Sequence, residues 1–159
     1  MPSERGGQVD GGTQRGVGPA PTLTGLRTAA FATMAMLAVQ FTLGTAVNLL
    51  VAIPNTDHGL GLLPATRAAI VAGPTALAVH VVLGLLLVAS AIAFLLRAVL
   101  SRHRVAIASG TVGLLALLAA MRSGAAFVAT GTNRDSLGMA LDASVAMLAY
   151  AFGLWRTAE

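Results

Sequence analysis

Five polar side chains interrupt otherwise apolar stretches of this chain: Gln40, Asn48, His80, Arg122 and Asp142. An aspartate, an imidazole and a guanidinium could together serve as base, proton carrier and anion clamp in one pocket. A histidine inside a helical bundle is also a haem ligand in waiting. Neither chemistry has further support from motifs. The chain has no serine or cysteine nucleophile motif, no phosphate-binding glycine loop and no HExxH pattern. It has no cysteine at all, which excludes disulfides, thiolate metal sites and covalently attached c-type haem. Asp57 and His58 are adjacent but too few to hold a metal ion, so no metal site and no catalytic residue is assigned.

What these groups can do depends on the elements that carry them. Of the 159 residues, 56% are hydrophobic and 10% charged, against roughly 25% charged in soluble domains. Mean hydropathy is +0.81. All ten basic residues are arginine, and they are scattered with hardly any aromatic residues among them, which argues against nucleic acid as a partner. Residues 1–27, rich in Gly, Pro, Thr and charge, read as a disordered tail. The first apolar run starts too late and runs too long for a signal peptide.

Four apolar runs, about 28–53, 76–96, 105–130 and 137–155, are long enough to cross a hydrocarbon core of about 30 Å. Lipid leaves backbone groups no partner outside their own segment, so continuous apolar runs predict helices. The expected fold is all-α: a four-transmembrane-helix antiparallel bundle over 28–159, preceded by the tail. Arg5, Arg15, Arg27, Arg97, Arg102, Arg104 and Arg156 fall on one side and only Arg67 and Arg134 on the other, which places both termini in the cytoplasm. Trp155, followed by Arg156, suits the interface there. The longer link 54–75 has turn formers at its ends and an apolar centre interrupted by Arg67, the pattern of a lid or of a short interfacial helix lying along the outer membrane surface.

At 1.5 Å per residue, Asn48, His80 and Asp142 lie about 6–8 Å and Arg122 about 12 Å from the outer ends of these spans, with Gln40 nearer the midplane. One polar residue from each helix thus reaches the same outer half. Gln40, Gly44 and Asn48 recur at intervals of four, as do His80 and Gly84, so each set shares a helix face. Gly113, Ala116, Ala120 and Gly124 form a small-residue stripe on the third span, and Asp142, Ala146, Ala149 and Gly153 one on the fourth. Small residues allow close helix approach in a bilayer. Arg122 and Asp142, on either side of a short turn, are expected to form an interhelical ion pair, since an unpaired intramembrane charge costs at least about 2.5–3.5 kcal/mol. Methionines, Met139 among them, read as gap-fillers.

These residues support a non-enzymatic binding or assembly subunit with a polar cavity in the outer half, lined by Gln40, Asn48, His80, Arg122 and Asp142. Its partners are the lipid bilayer and either another membrane protein or a second copy. The alternatives are a redox protein holding b-type haem or a quinone-like cofactor at His80, with His58 or Met139 as second haem ligand, and a small membrane-embedded enzyme. The segments QFTLGTAVNLLVAIP, LAVHVVLGLLLVASAI and AAMRSGAAFVATGTNRDSLGMALDASVAMLAYAFGLW resemble small uncharacterised four-span membrane proteins of bacteria, especially actinobacteria. The matching elements are Leu43, Gly44, Asn48 and Leu49, then His80, then Gly124 and Phe127. The resemblance implies a multi-pass protein of the cytoplasmic membrane and no particular activity. Arg122 stands where a neutral polar residue is expected.

Overall fold

The computed structural model describes residues 23–51 and 59–157. These residues are helical throughout, with no strand among them. Four long helices, α1 (Leu23–Leu50), α3 (Thr75–Leu100), α4 (Arg104–Thr130) and α5 (Asn133–Arg156), are joined by one short helix, α2 (Leu62–Val71). The four long ones have the length and apolar composition needed to cross a membrane. Helix α1 begins at Leu23, so residues 23–27, assigned above to the tail, belong to a helix. The rest of that tail, and the candidate metal or haem contacts Asp57 and His58, lie outside the described residues.

Each long helix packs against two others: α1 against α3 and α5, and α4 against α3 and α5. The interior is built mainly from small residues, including Ala30, Ala91, Ala98, Ala106, Ala116, Ala143 and Ala146. Large apolar side chains such as Phe31, Leu63, Leu115 and Leu148 face outwards. This inversion follows from the solvent: hydrocarbon gives no reward for burying leucine between helices, whereas small residues bring backbones into contact.

The connections are tight. The turn between α3 and α4 comprises residues 101–103 only, and His103 Nδ1 accepts a hydrogen bond from the Ala106 N–H at 3.2 Å, capping α4. Helix α4 ends at Gly131, whose φ of 66° suits a residue without a Cβ. Helix α5 then starts at Asn133, four residues earlier than the apolar run suggests. Asp135 in its first turn accepts hydrogen bonds from the Thr130 and Thr132 hydroxyls at 2.6 and 2.7 Å. A carboxylate there also opposes the positive end of the helix dipole.

The α3, α4 and α5 junction is set by an aromatic pair. The Phe94 and Tyr150 rings meet edge to face, 5.6 Å between centroids and 76° between planes. Both lie on α4 where it has no side chain: a Cβ on Gly110 would come within 2.9 Å of Phe94, and one on Gly113 within 2.6 Å of Tyr150. The stripe on α5 is therefore Ala143, Ala146, Tyr150 and Gly153, which differs from the expected small-residue stripe by one residue at two positions, Ala143 for Asp142 and Tyr150 for Ala149. The Tyr150 hydroxyl is buried and has no hydrogen-bond partner. Tyr150→Phe is expected to leave the packing intact and raise thermal stability, by up to about 1–3 kcal/mol if the full desolvation cost is recovered. Thermal unfolding in detergent measures this.

A second interhelical contact holds α1 to α3. The Thr33 hydroxyl, fully buried, donates to the Ala29 carbonyl at 2.9 Å and lies 3.1 Å from the Ser90 hydroxyl. With its own proton committed, Thr33 accepts from Ser90.

Candidate functional site: a neutral cavity beneath helix α2

A cavity of about 470 Å³ opens between the long helices near the ends joined to α2. Its size falls within the range of small-molecule sites. Helix α2 packs on α3 and α4. Its Ala65 and Ala69, four residues apart and buried, turn one face to the interior and line the cavity together with Thr66. The deeper wall is apolar, with Leu37, Leu87, Leu117 and Ala143.

Gln40, Asn48 and His80 all line this cavity. Gln40 is some ten residues, or about 15 Å, from the end of α1, while Asn48 is close to that end and exposed. His80 lies about 7.5 Å into α3. Two glycines let Gln40 and His80 meet. The imidazole rests on Gly44, where a Cβ would come within 2.8 Å of Cε1, and the Gln40 amide rests on Gly84, where a Cβ would come within 3.1 Å of Nε2. Gln40 Nε2 donates to the His80 main-chain carbonyl at 2.9 Å and lies 3.4 Å from His80 Nε2. Gln40 Oε1 and His80 Nδ1 are buried without a partner. Each such unfilled bond costs about 1–3 kcal/mol, so the pair is held in a state that a further polar group would improve.

Arg122 and Asp142 are placed elsewhere: neither is among the residues lining the cavity. Nor do they pair. Arg122 is exposed, and its charge acts on Asp135 in the first turn of α5. Asp142 accepts a hydrogen bond from Ser123 at 3.2 Å. The physical reason lies in helix geometry. Residues 122 and 123 are about 100° apart around α4, so only one of them can face α5, and Ser123 is that one. The early start of α5 also places Asp142 about 14 Å from its beginning, level with position 123 of α4. A double-mutant cycle of Ser123→Ala with Asp142→Asn is expected to show coupling of about 0.6–1.7 kcal/mol. The charge-swapped pair Arg122→Asp with Asp142→Arg is expected to fold no better than either single change.

Without these two residues, no aspartate, glutamate, arginine or lysine among the described residues lines the cavity. Its polar groups are neutral amides and hydroxyls, Gln40, Asn48, Thr45, Thr66, Asn133 and Ser136, together with His80. The sequence reading missed the contributions of α2 and of the first turn of α5. The four-residue spacing of Ala65 and Ala69 was an available signal for the former. Met139 does line the cavity, and its Sδ packs within 3.1 Å of where a Gly124 Cβ would be.

No protein-family model matches the chain, and no match is found among curated proteins or solved structures. Function is therefore read from the cavity itself.

Proposed function

We propose that this chain is a multi-pass protein of the bacterial cytoplasmic membrane that binds an uncharged, lipid-like ligand in the cavity beneath α2, and that it acts as a binding or assembly subunit, not as an enzyme. The single observation that carries this reading is a cavity of about 470 Å³, partly covered by α2, whose wall among the described residues has hydrogen-bonding groups but no fixed charge. A charged ligand would enter without a counter-charge, which is costly away from water. A neutral amphiphile meets apolar depth and polar rim in turn.

The same observation weighs against haem and against an acid–base enzyme. Haem would have His80, with Met139 as second ligand among the described residues, but no arginine or lysine among the described residues of the wall to meet its propionates. An acid–base enzyme would need Asp142 or Arg122 near His80, and both lie outside the lining. Four antiparallel spans with both termini cytoplasmic, the turn 101–103 with Arg102 and the flanking Arg97 and Arg104 inside, and α2 outside, agree with the arginine asymmetry.

The test is purification in mild detergent followed by native mass spectrometry. The expected result is a copurifying neutral lipid, released on denaturation. Recovery of only charged lipids, or of none after extraction from native membranes, would overturn the reading. Because the chain has no cysteine, single cysteines at Ser101 and Thr66 can report sidedness by labelling in intact cells. Thr66→Cys is expected to label from outside and Ser101→Cys only after permeabilisation.

A further inference from the structure

We infer that the ligand presents a hydroxyl group as its polar end, received between the Gln40 carboxamide and the His80 ring; this rests on reading the cavity as a binding site. The Gln40 amide orientation follows from its neighbour. The His80 main-chain carbonyl, 2.9 Å away, can only accept, so the atom facing it is the amide nitrogen. The same NH₂ group lies 3.4 Å from His80 Nε2. A donor meets that nitrogen favourably only when the nitrogen bears no proton, and a neutral ring then carries its proton on Nδ1.

Two complementary groups are left over. His80 Nδ1–H is a donor and Gln40 Oε1 an acceptor, and both are buried without a partner. A group that completes both must accept once and donate once. A hydroxyl does this with a single oxygen. A quinone carbonyl, an ester or an ether can accept from Nδ1–H but leaves Oε1 unfilled, and a carboxylate brings a charge to a wall with none to oppose it. Both side chains line the cavity while these two atoms are closed to water, so binding requires the two groups to shift enough to expose Oε1 and Nδ1 while Gln40 Nε2 keeps its bond to the His80 carbonyl. Asn48 and Thr66 nearer the rim bond the remainder of a polar head.

The hydroxyl could belong to a long-chain aliphatic alcohol or to the ring of a reduced prenyl quinone, which share this chemistry. The test uses the full chain in nanodiscs, titrated with matched probes and read by native mass spectrometry. One arm compares 1-hexadecanol with its methyl ether. The other compares a prenylated hydroquinone, kept reduced, with its quinone. In at least one arm the hydroxyl form is expected to bind tenfold or more tightly than its partner, in the manner of sites built around a substrate hydroxyl. The arm that shows the preference identifies the source. Equal binding of hydroxyl and non-hydroxyl forms in both arms overturns the inference and leaves the cavity reading standing. Failure of every probe to bind overturns both.

The comparison needs no variant, so it does not depend on a mutant's folding. Variants add a second readout. Gln40→Met is expected to abolish the preference, whereas His80→Gln, which retains a side-chain N–H, keeps part of it. Ring ¹⁵N resonances should show the Nδ1–H tautomer of His80 and a shift on binding the alcohol but not the ether. An Nε2–H tautomer in the free protein would overturn the inference as well.

Discussion

Gly113→Ala is expected to destabilise the helical assembly by about 1–3 kcal/mol, and Gly113→Val by more, although either change removes a glycine from a helix interior. Intrinsic propensity predicts the opposite sign for alanine, a gain of roughly 0.5–1 kcal/mol. Packing decides the outcome, because a Cβ at this position would lie 2.6 Å from Cε2 and 2.7 Å from Cζ of Tyr150. The ring cannot retreat cheaply. It is fully buried, and its edge-to-face partner Phe94 is itself seated against Gly110. Two controls separate this mechanism from a general cost of added bulk. At Gly124 a Cβ meets only the flexible end of Met139, so Gly124→Ala should be close to neutral. Combining Gly113→Ala with Tyr150→Leu should recover part of the loss, since the smaller side chain makes room. Thermal unfolding of the purified variants in one detergent gives all four comparisons.

Gly44→Leu is expected to lower ligand occupancy at least about tenfold, the equivalent of 1.4 kcal/mol or more of binding free energy. Its effect comes through His80. A Cβ at 44 would stand 2.8 Å from His80 Cε1 and 3.4 Å from Nδ1, so the ring must leave its seat and the Gln40 contact at 3.4 Å is lost with it. The longer leucine side chain then occupies space on the cavity wall. Gly84→Leu should act on the other member of the pair, since a Cβ there meets Gln40 Nε2 at 3.1 Å. Occupancy after identical purification, measured by native mass spectrometry, is the readout. Retained helical circular dichroism with lost ligand would separate a blocked site from an unfolded protein.

The four long helices were legible because lipid imposes one local rule, continuous apolar length, that single segments can satisfy. The pairing of Gln40 with His80 was half legible: both residues sit on stripes with a glycine four residues away, and those glycines are the ones on which their side chains rest. Which polar residue on one helix meets which on the next was not legible, because that depends on rotation about each axis. Arg122 shows the consequence. Position along a helix says nothing of azimuth, and Ser123, one residue further on, takes the partner expected for it. Tyr150 illustrates a different limit. A stripe of small residues on α5 suggests a smooth seam, yet the seam includes a large ring because α4 supplies the missing volume at Gly113. Complementarity of this kind belongs to two helices at once and is not written in either.

The absence of aspartate, glutamate, arginine and lysine from the described residues of the cavity lining has an electrical consequence. A membrane potential does work on charge, about 2.3 kcal/mol per elementary charge for each 100 mV crossed. The uncharged occupant proposed above would carry none across that field. Its loading should be indifferent to whether the cell membrane is energised, and a collapse of the potential by an ionophore should leave the bound fraction unchanged.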